Sequence, residues 1–318
     1  MDEKMQNSGN RDVNRSGSRM RIAFALAISL IVMVLLAFYF STLLKRDIQT
    51  GSVLGFTMKS GEITSRMRIN LLKSVELEKS AFMAITDEDS RTFADQSRMT
   101  ADTVESDYQE LKGLIDKEGT GAEVRLLKEF TECWKNFREI DEELLRLSVE
   151  NTNIKAASLS HTAGAQAIGR FERAFAQLTE IHSSSVKEAR ISRLAYRAVT
   201  AALMIYTLQS PHINEAQDAK MDEIESVMKA KEKTVRSAFA DLAQLVDERG
   251  RTFLDTASLA FEEFMKVNAE IVRLSRINSN IKSLELSLGR KRKVAAQCEE
   301  TLNALQDVIR DRTFKATK

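Results

Sequence analysis

Apolar residues recur at gaps of three and four through most of this chain, and no segment keeps the period of two that a half-buried strand needs. Leu126, Phe130, Trp134, Phe137, Ile140, Leu144 and Leu147 draw one such stripe, and Leu254, Ala257, Phe261, Phe264, Val267, Ile271 and Leu274 draw another. Each seam is narrow and flanked by Glu, Lys and Arg. Antiparallel bundles of coiled-coil type bury such stripes against neighbouring helices, so the aromatic residues read as core. A single proline in 318 residues fits a chain that is helical almost throughout.

The two stripes belong to an internal repeat. LSVENTNIKAASLS, from Leu147 to Ser160, returns as LSRINSNIKSLELS from Leu274 to Ser287, a shift of 127 residues with eight of fourteen positions identical. The same shift lays Phe137 on Phe264 and Ser65-Arg66-Met67 on Ser192-Arg193-Leu194. The unit to be explained is therefore a module of about 130 residues used twice. Turn residues divide each module into four helices of about 30 residues, roughly 45 Å long. Asp87-Glu88-Asp89 start a helix and Gly119-Thr120-Gly121 separate two more. Ser210-Pro211 reads as an N-cap and first helical position, which ends the preceding helix near Leu208. Asn151-Thr152-Asn153 and its copy Asn278-Ser279-Asn280 form either a turn into a fourth helix or a polar layer inside a longer one, and the capping habit of these residues favours the turn. His161 to Gly164, and Gly289 in the copy, then mark a kink. VKEARISRLAYRAV follows His182-Ser183-Ser184-Ser185 without Gly or Pro, which favours a long shared helix or gentle bend between the modules over a turn.

From Ile22 to Leu44 the chain carries twenty-three residues without a charge, long enough for a hydrocarbon core of about 30 Å. The stretch exceeds the apolar core of a signal peptide and lacks its cleavage site, so an uncleaved anchor is expected. Lys4, Arg11, Arg15, Arg19 and Arg21 crowd its N-terminal flank, which puts the tail in the cytoplasm of a single-pass inner-membrane protein and the repeats in the periplasm. The predicted architecture is all-α: a cytoplasmic tail (1–21), a transmembrane helix (22–44), and two tandem antiparallel four-helix-bundle modules (45–182 and 183–318). Beyond the tail, 42 basic and 43 acidic residues leave a near-neutral body with neither a nucleic-acid footprint nor a polybasic membrane patch. Cys133 and Cys298 are the only cysteines, and the repeat shift does not superpose them. They read as two buried free thiols.

Catalytic chemistry has no motif here: no Walker loop, G-x-S-x-G elbow, H-E-x-x-H or haem site, so neither an enzyme nor a cofactor is expected. His161, His182 and His212 stand too far apart in sequence to share a metal on one helix, and Glu-x-x-His is absent. The candidate ligand-binding residues are arginines. Arg66 and Arg193 occupy matching repeat positions, and Arg190 and Arg197 share a face with Arg193. Such a cluster could hold a carboxylate in bidentate fashion; the alternative is a solvated face paired with nearby Glu.

The order of anchor, RMRINLLKSVELEKSAFMAITDEDSRTFA from Arg66, an acidic second helix, the Phe130 to Leu147 stripe and ENTNIKAASLS resembles the periplasmic four-helix-bundle sensory domain of methyl-accepting chemotaxis receptors. The resemblance is clearest over residues 22–180 and the repeat extends it to about 310, with the helical bimodular sensor domain, which stacks two bundles, as a near relative. It implies a homodimeric bundle that binds a small solute such as an organic acid or amino acid between helices and passes a displacement across the bilayer. The chain departs from that pattern after QDVIRDRTFKATK, where a second span and a signalling hairpin are expected. The expected role is thus a sensor-like module acting on a separate membrane signalling protein. The alternative is a structural spacer of the envelope with no small-molecule ligand.

Overall fold

The computed structural model describes the backbone of residues 9–181 and 186–317; side chains are described from residue 51 onward, apart from 182–186 and 318, and at 30 and 32–42. Among these residues every regular element is helical. In chain order they are α1 (Gly9–Met83), α2 (Asp87–Glu118), α3 (Gly121–Glu150), α4 (Thr152–Leu159), α5 (Ala165–Glu180), α6 (Val186–Ile213), α7 (Asp218–Ala243), α8 (Glu248–Ile277), α9 (Ser279–Leu286) and α10 (Arg292–Ala316). A π-helical turn, Ser160–Gly164, joins α4 to α5, and a second, Ser287–Lys291, joins α9 to α10. The expected kinks are therefore π turns, at matching positions of the two repeats.

Side chains stop and start these helices where the sequence offers acceptors. Thr86 caps α2 by accepting from the amide of Asp89 at 3.0 Å. Thr120 and Glu123 form a reciprocal capping box at the start of α3, with the Thr120 amide donating to Glu123 at 2.6 Å. Gly119 is required before it, since a Cβ there would lie 2.4 Å from the Ile115 carbonyl oxygen. Pro211 departs from expectation. It lies inside the last turn of α6 rather than at a new start, where it withholds one N–H from the helical ladder two residues before the helix ends.

The two seams are buried as expected, with Phe130, Phe137, Leu144, Phe264 and Ile271 fully enclosed. What they pack against differs from the tandem arrangement. One core draws on α1, α2, α3 and α10, holding Met67, Leu111, Phe130 and Leu302. The other draws on α5, α6, α7 and α8, holding Phe171, Ala198, Val235 and Phe261. Each repeat thus sends its fourth helix into the other repeat's bundle, and the cores do not follow the boundaries 45–182 and 183–318. Contact between the bundles runs through α4 and α9, so they stand end to end. The crossover points are Asn151 and Asn278, left-handed residues with φ of 50° and 60° that redirect the chain between consecutive helices.

Two further expectations change. Cys133 on α3 and Cys298 on α10 form a disulfide with Cα atoms 5.5 Å apart, because the exchange lays the last helix against the third. The long shared helix is replaced by a reversal: α5 and α6 pack on one another in one core across a connection of five residues, and His182–Ser185 lie outside the described residues. The apolar stretch Ile22–Leu44 is part of the 75-residue α1, and its described side chains, at 30 and 32–42, are exposed. The remaining side chains of that stretch lie outside the described residues. Among the described residues no helix is long and apolar enough to cross a membrane.

Candidate functional site

The arginines proposed from sequence do not converge. Arg66 on α1 is taken up by carboxylates, donating to Asp107 at 2.7 Å, to Glu62 at 3.0 Å and to Glu110 at 3.5 Å. Its hydrogen bond to Asp107 is the main reason its pKa rises above the ordinary value. Arg190, Arg193 and Arg197 lie together and exposed on α6 in the other bundle. Matching repeat positions therefore hold one saturated arginine and one solvated one, in different bundles.

The repeat motif itself forms the junction between the bundles. The amide of Thr152 donates to Ser279 Oγ at 3.0 Å, and the amide of Ser279 donates to Thr152 Oγ1 at 3.0 Å. Asn153 and Asn280 exchange amide and side-chain oxygen in the same reciprocal way, at 3.1 and 3.2 Å. Asn280 Nδ2 donates to Asn151 at 3.0 Å and Asn153 Nδ2 to Asn278 at 2.7 Å, so the two left-handed residues are tied to the opposite repeat. Lys155 and Lys282 reach back to the last carbonyls of α3 and α8, at 2.9 and 2.7 Å. This is a local two-fold axis inside one chain, and it explains why Asn-Thr/Ser-Asn-Ile-Lys is the best-matched stretch of the repeat. The segment is at once the turn and the polar layer that the sequence left as alternatives.

Beside the junction, each bundle encloses a polar cluster where its π turn faces the third helix of the seam. In the α5–α8 bundle the cluster is neutral and satisfied: Ser160 Oγ donates to Gln209 at 2.7 Å, and Gln209 Nε2 donates to Asn268 at 2.9 Å. In the α1–α3–α10 bundle it is charged. Lys291 Nζ, from the π turn, is hydrogen-bonded to Asp141 of α3 and lies 3.8 Å from Glu78 of α1 and 3.4 Å from the Phe137 ring centre. All three charged side chains are buried, and neither oxygen of Glu78 has a hydrogen-bond partner. Burial pushes the Glu78 carboxyl up, only partly opposed by Lys291, and burial likewise pulls the Lys291 ammonium down. A third buried group, His212 near the end of α6, sits between Ser275 Oγ at 2.8 Å and Glu225 Oε1 at 2.9 Å. Burial would raise Glu225, but hydrogen bonds from Arg276 and His212 outweigh it and hold its carboxyl below the usual range.

Surface concavities are shallow by comparison. A groove of about 870 Å³ runs between α1 and α10, lined among others by Met58, Gly61, Arg68, Asn303 and Phe314. A smaller hollow of about 260 Å³ lies at the junction beside Asn153, Ser160, His161 and Ser210. Sequence reasoning missed Glu78, Asp141 and Lys291. The signal was present, since Asp141 interrupts the seam between Ile140 and Leu144, and the repeat places Asn268 and Gly164 opposite Asp141 and Lys291. Comparison with known protein families, with curated proteins and with solved structures finds no match for this chain.

Proposed function

We propose that this chain is a membrane-anchored, extracytoplasmic sensor-like module that takes a small solute or a protein partner and acts through a separate output protein. The observation that carries this reading is the convergence of two helices: the end of α10, at Thr313 and the capping residue Thr317, lies beside Thr57 and Gly61 of α1, the helix that also holds the apolar stretch. A change at the junction would reach that end through two rigid elements, one from each repeat. The Cys133–Cys298 disulfide suits an oxidising compartment outside the cytoplasm. Two bundles standing end to end also suit the resemblance to sensory domains, with Ile22–Leu44 as anchor.

Saturation of Arg66 by three carboxylates favours the second reading, a structural spacer whose partner is another chain. A thermal-shift screen of the full chain in detergent, against organic acids and amino acids, separates the two. Saturable stabilisation, about 2.7 kcal/mol at a hundred times the dissociation constant, is the sensor outcome. No response from any solute, together with a melting temperature that rises with protein concentration, is the spacer outcome.

A further inference from the structure

The charged cluster of the α1–α3–α10 bundle is short of one positive charge. Two carboxylates, Glu78 and Asp141, face a single ammonium, Lys291, and all three are sealed from water. Asp141 holds the lysine by direct hydrogen bond, whereas Glu78 stands 3.8 Å away with both oxygens unpartnered. The other groups around it do not supply the missing charge. On α1 itself Lys79 points to solvent, on α3 Arg138 is engaged with Asp102 at 2.8 Å, and the buried face of α2 presents Ala94, Ser97 and Ala101. From the π turn comes Ser287, whose hydroxyl also lacks a hydrogen-bond partner. The second repeat places Ile205, Asn268 and Gly164 at the positions of Glu78, Asp141 and Lys291, so the fold does not require this charge for packing.

We infer that Glu78 is a proton-binding site: it is carried as a neutral carboxylic acid in the folded chain, and its deprotonation loosens the π turn and α10 from α1 and α3. A neutral Glu78 leaves Asp141 and Lys291 as a balanced pair and gives Ser287 a carboxyl group to turn toward. An ionised Glu78 leaves a net negative charge in an apolar core, with only the neutral Ser287 hydroxyl free to turn toward it. The sign of the linkage follows. A carboxyl raised by folding contributes stability that is present at low pH and lost as pH rises through its folded-state value. Because α10 reaches the end of the bundle beside Thr57 and Gly61, local proton release would be felt there too.

The test is amide hydrogen exchange of the full chain in detergent from about pH 5 to about pH 9, the span over which buried glutamates titrate. After correction for the intrinsic pH dependence of exchange, opening of the α10 amides should rise by up to tenfold per pH unit between the ordinary glutamate range and the point where Glu78 loses its proton in the folded chain, and level off above it. In Glu78→Gln that excess slope should vanish, while the amides of α7 and α8, near His212 and Glu225, keep the parent behaviour. Equal slopes in parent and Glu78→Gln would overturn the inference. Infrared spectra of the unaltered chain in heavy water at neutral pH supply a test that does not depend on the variant folding. A protonated-carboxyl absorption is expected, and its absence would overturn the inference equally.

Discussion

Removing the disulfide should cost the α1–α3–α10 bundle far more than an ordinary surface change. Cys133 and Cys298 are 165 residues apart, and closing a loop of that length restricts the unfolded chain by about 5 kcal/mol at 25 °C on the chain-entropy estimate. Whole-domain stabilities are typically about 5 to 15 kcal/mol, so the loss would be a large fraction of the total. The perturbation is Cys133→Ser with Cys298→Ser, made together so that no lone thiol remains. Trp134 is the only tryptophan and is stacked at 5.9 Å from Phe130 and 5.0 Å from Phe137 in that same core, so its fluorescence reports this bundle alone. In urea titrations of the full chain the double variant should unfold at a lower midpoint than the oxidised parent, and reductant should move the parent to the variant's position. A difference under about 1 kcal/mol would refute the reasoning, because the unfolded chain would then gain nothing from being released.

Other outcomes follow from single contacts. Asp141→Asn leaves Lys291 buried without its hydrogen-bonded anion and should destabilise by about 3 to 5 kcal/mol in chemical denaturation, against a small change for Glu78→Gln. Asn278→Ala loses a residue suited to φ of 60° and its bonds to Asn153 and to the Glu215 carbonyl, for about 2 kcal/mol or more. Asn278→Gly should recover the backbone part, and thermal melts of the pair would separate the two. Phe264→Ala empties a fully buried position in the α5–α8 core and should cost about 3 to 5 kcal/mol in the same titration, without moving the Trp134 signal if the bundles unfold separately. Arg193→Ala, exposed on α6, should stay within about 0.5 kcal/mol of the parent melt, whereas Arg66→Ala should lose more because Asp107 is buried beneath it.

The repeat and the three-and-four spacing made the helices, the seams and most caps legible, because those depend on neighbours within a few residues. The exchange of fourth helices was hidden for a physical reason. Both repeats present the same kind of stripe, so a fourth helix satisfies either trio equally well by pattern, and only the left-handed Asn151 and Asn278 choose. The cysteine pairing went with it, since Cys133 and Cys298 meet only if the last helix returns to the first bundle. Arg66 looked like a ligand holder because its partners Asp107 and Glu110 come from the next helix, more than forty residues away. Nothing in the local sequence sets Lys291 and Glu78 apart from the other charged residues around them. Lys291 is brought into the core by a π turn, which the sequence marked only as a kink near Gly289.

The exchange of helices also sets an order of events during synthesis. α1, α2 and α3 are complete once residue 150 has emerged, yet the helix that closes their core begins at residue 292. At about 5 to 20 residues per second the three helices wait roughly 10 to 30 seconds with a groove lined by Phe56, Leu127 and Phe130 uncovered. The α5–α8 bundle, by contrast, is drawn from one uninterrupted segment and can close first. The nascent chain would therefore mature from its middle outward, and the half that adjoins the apolar segment would be the one most dependent on holdase protection until the last helix arrives.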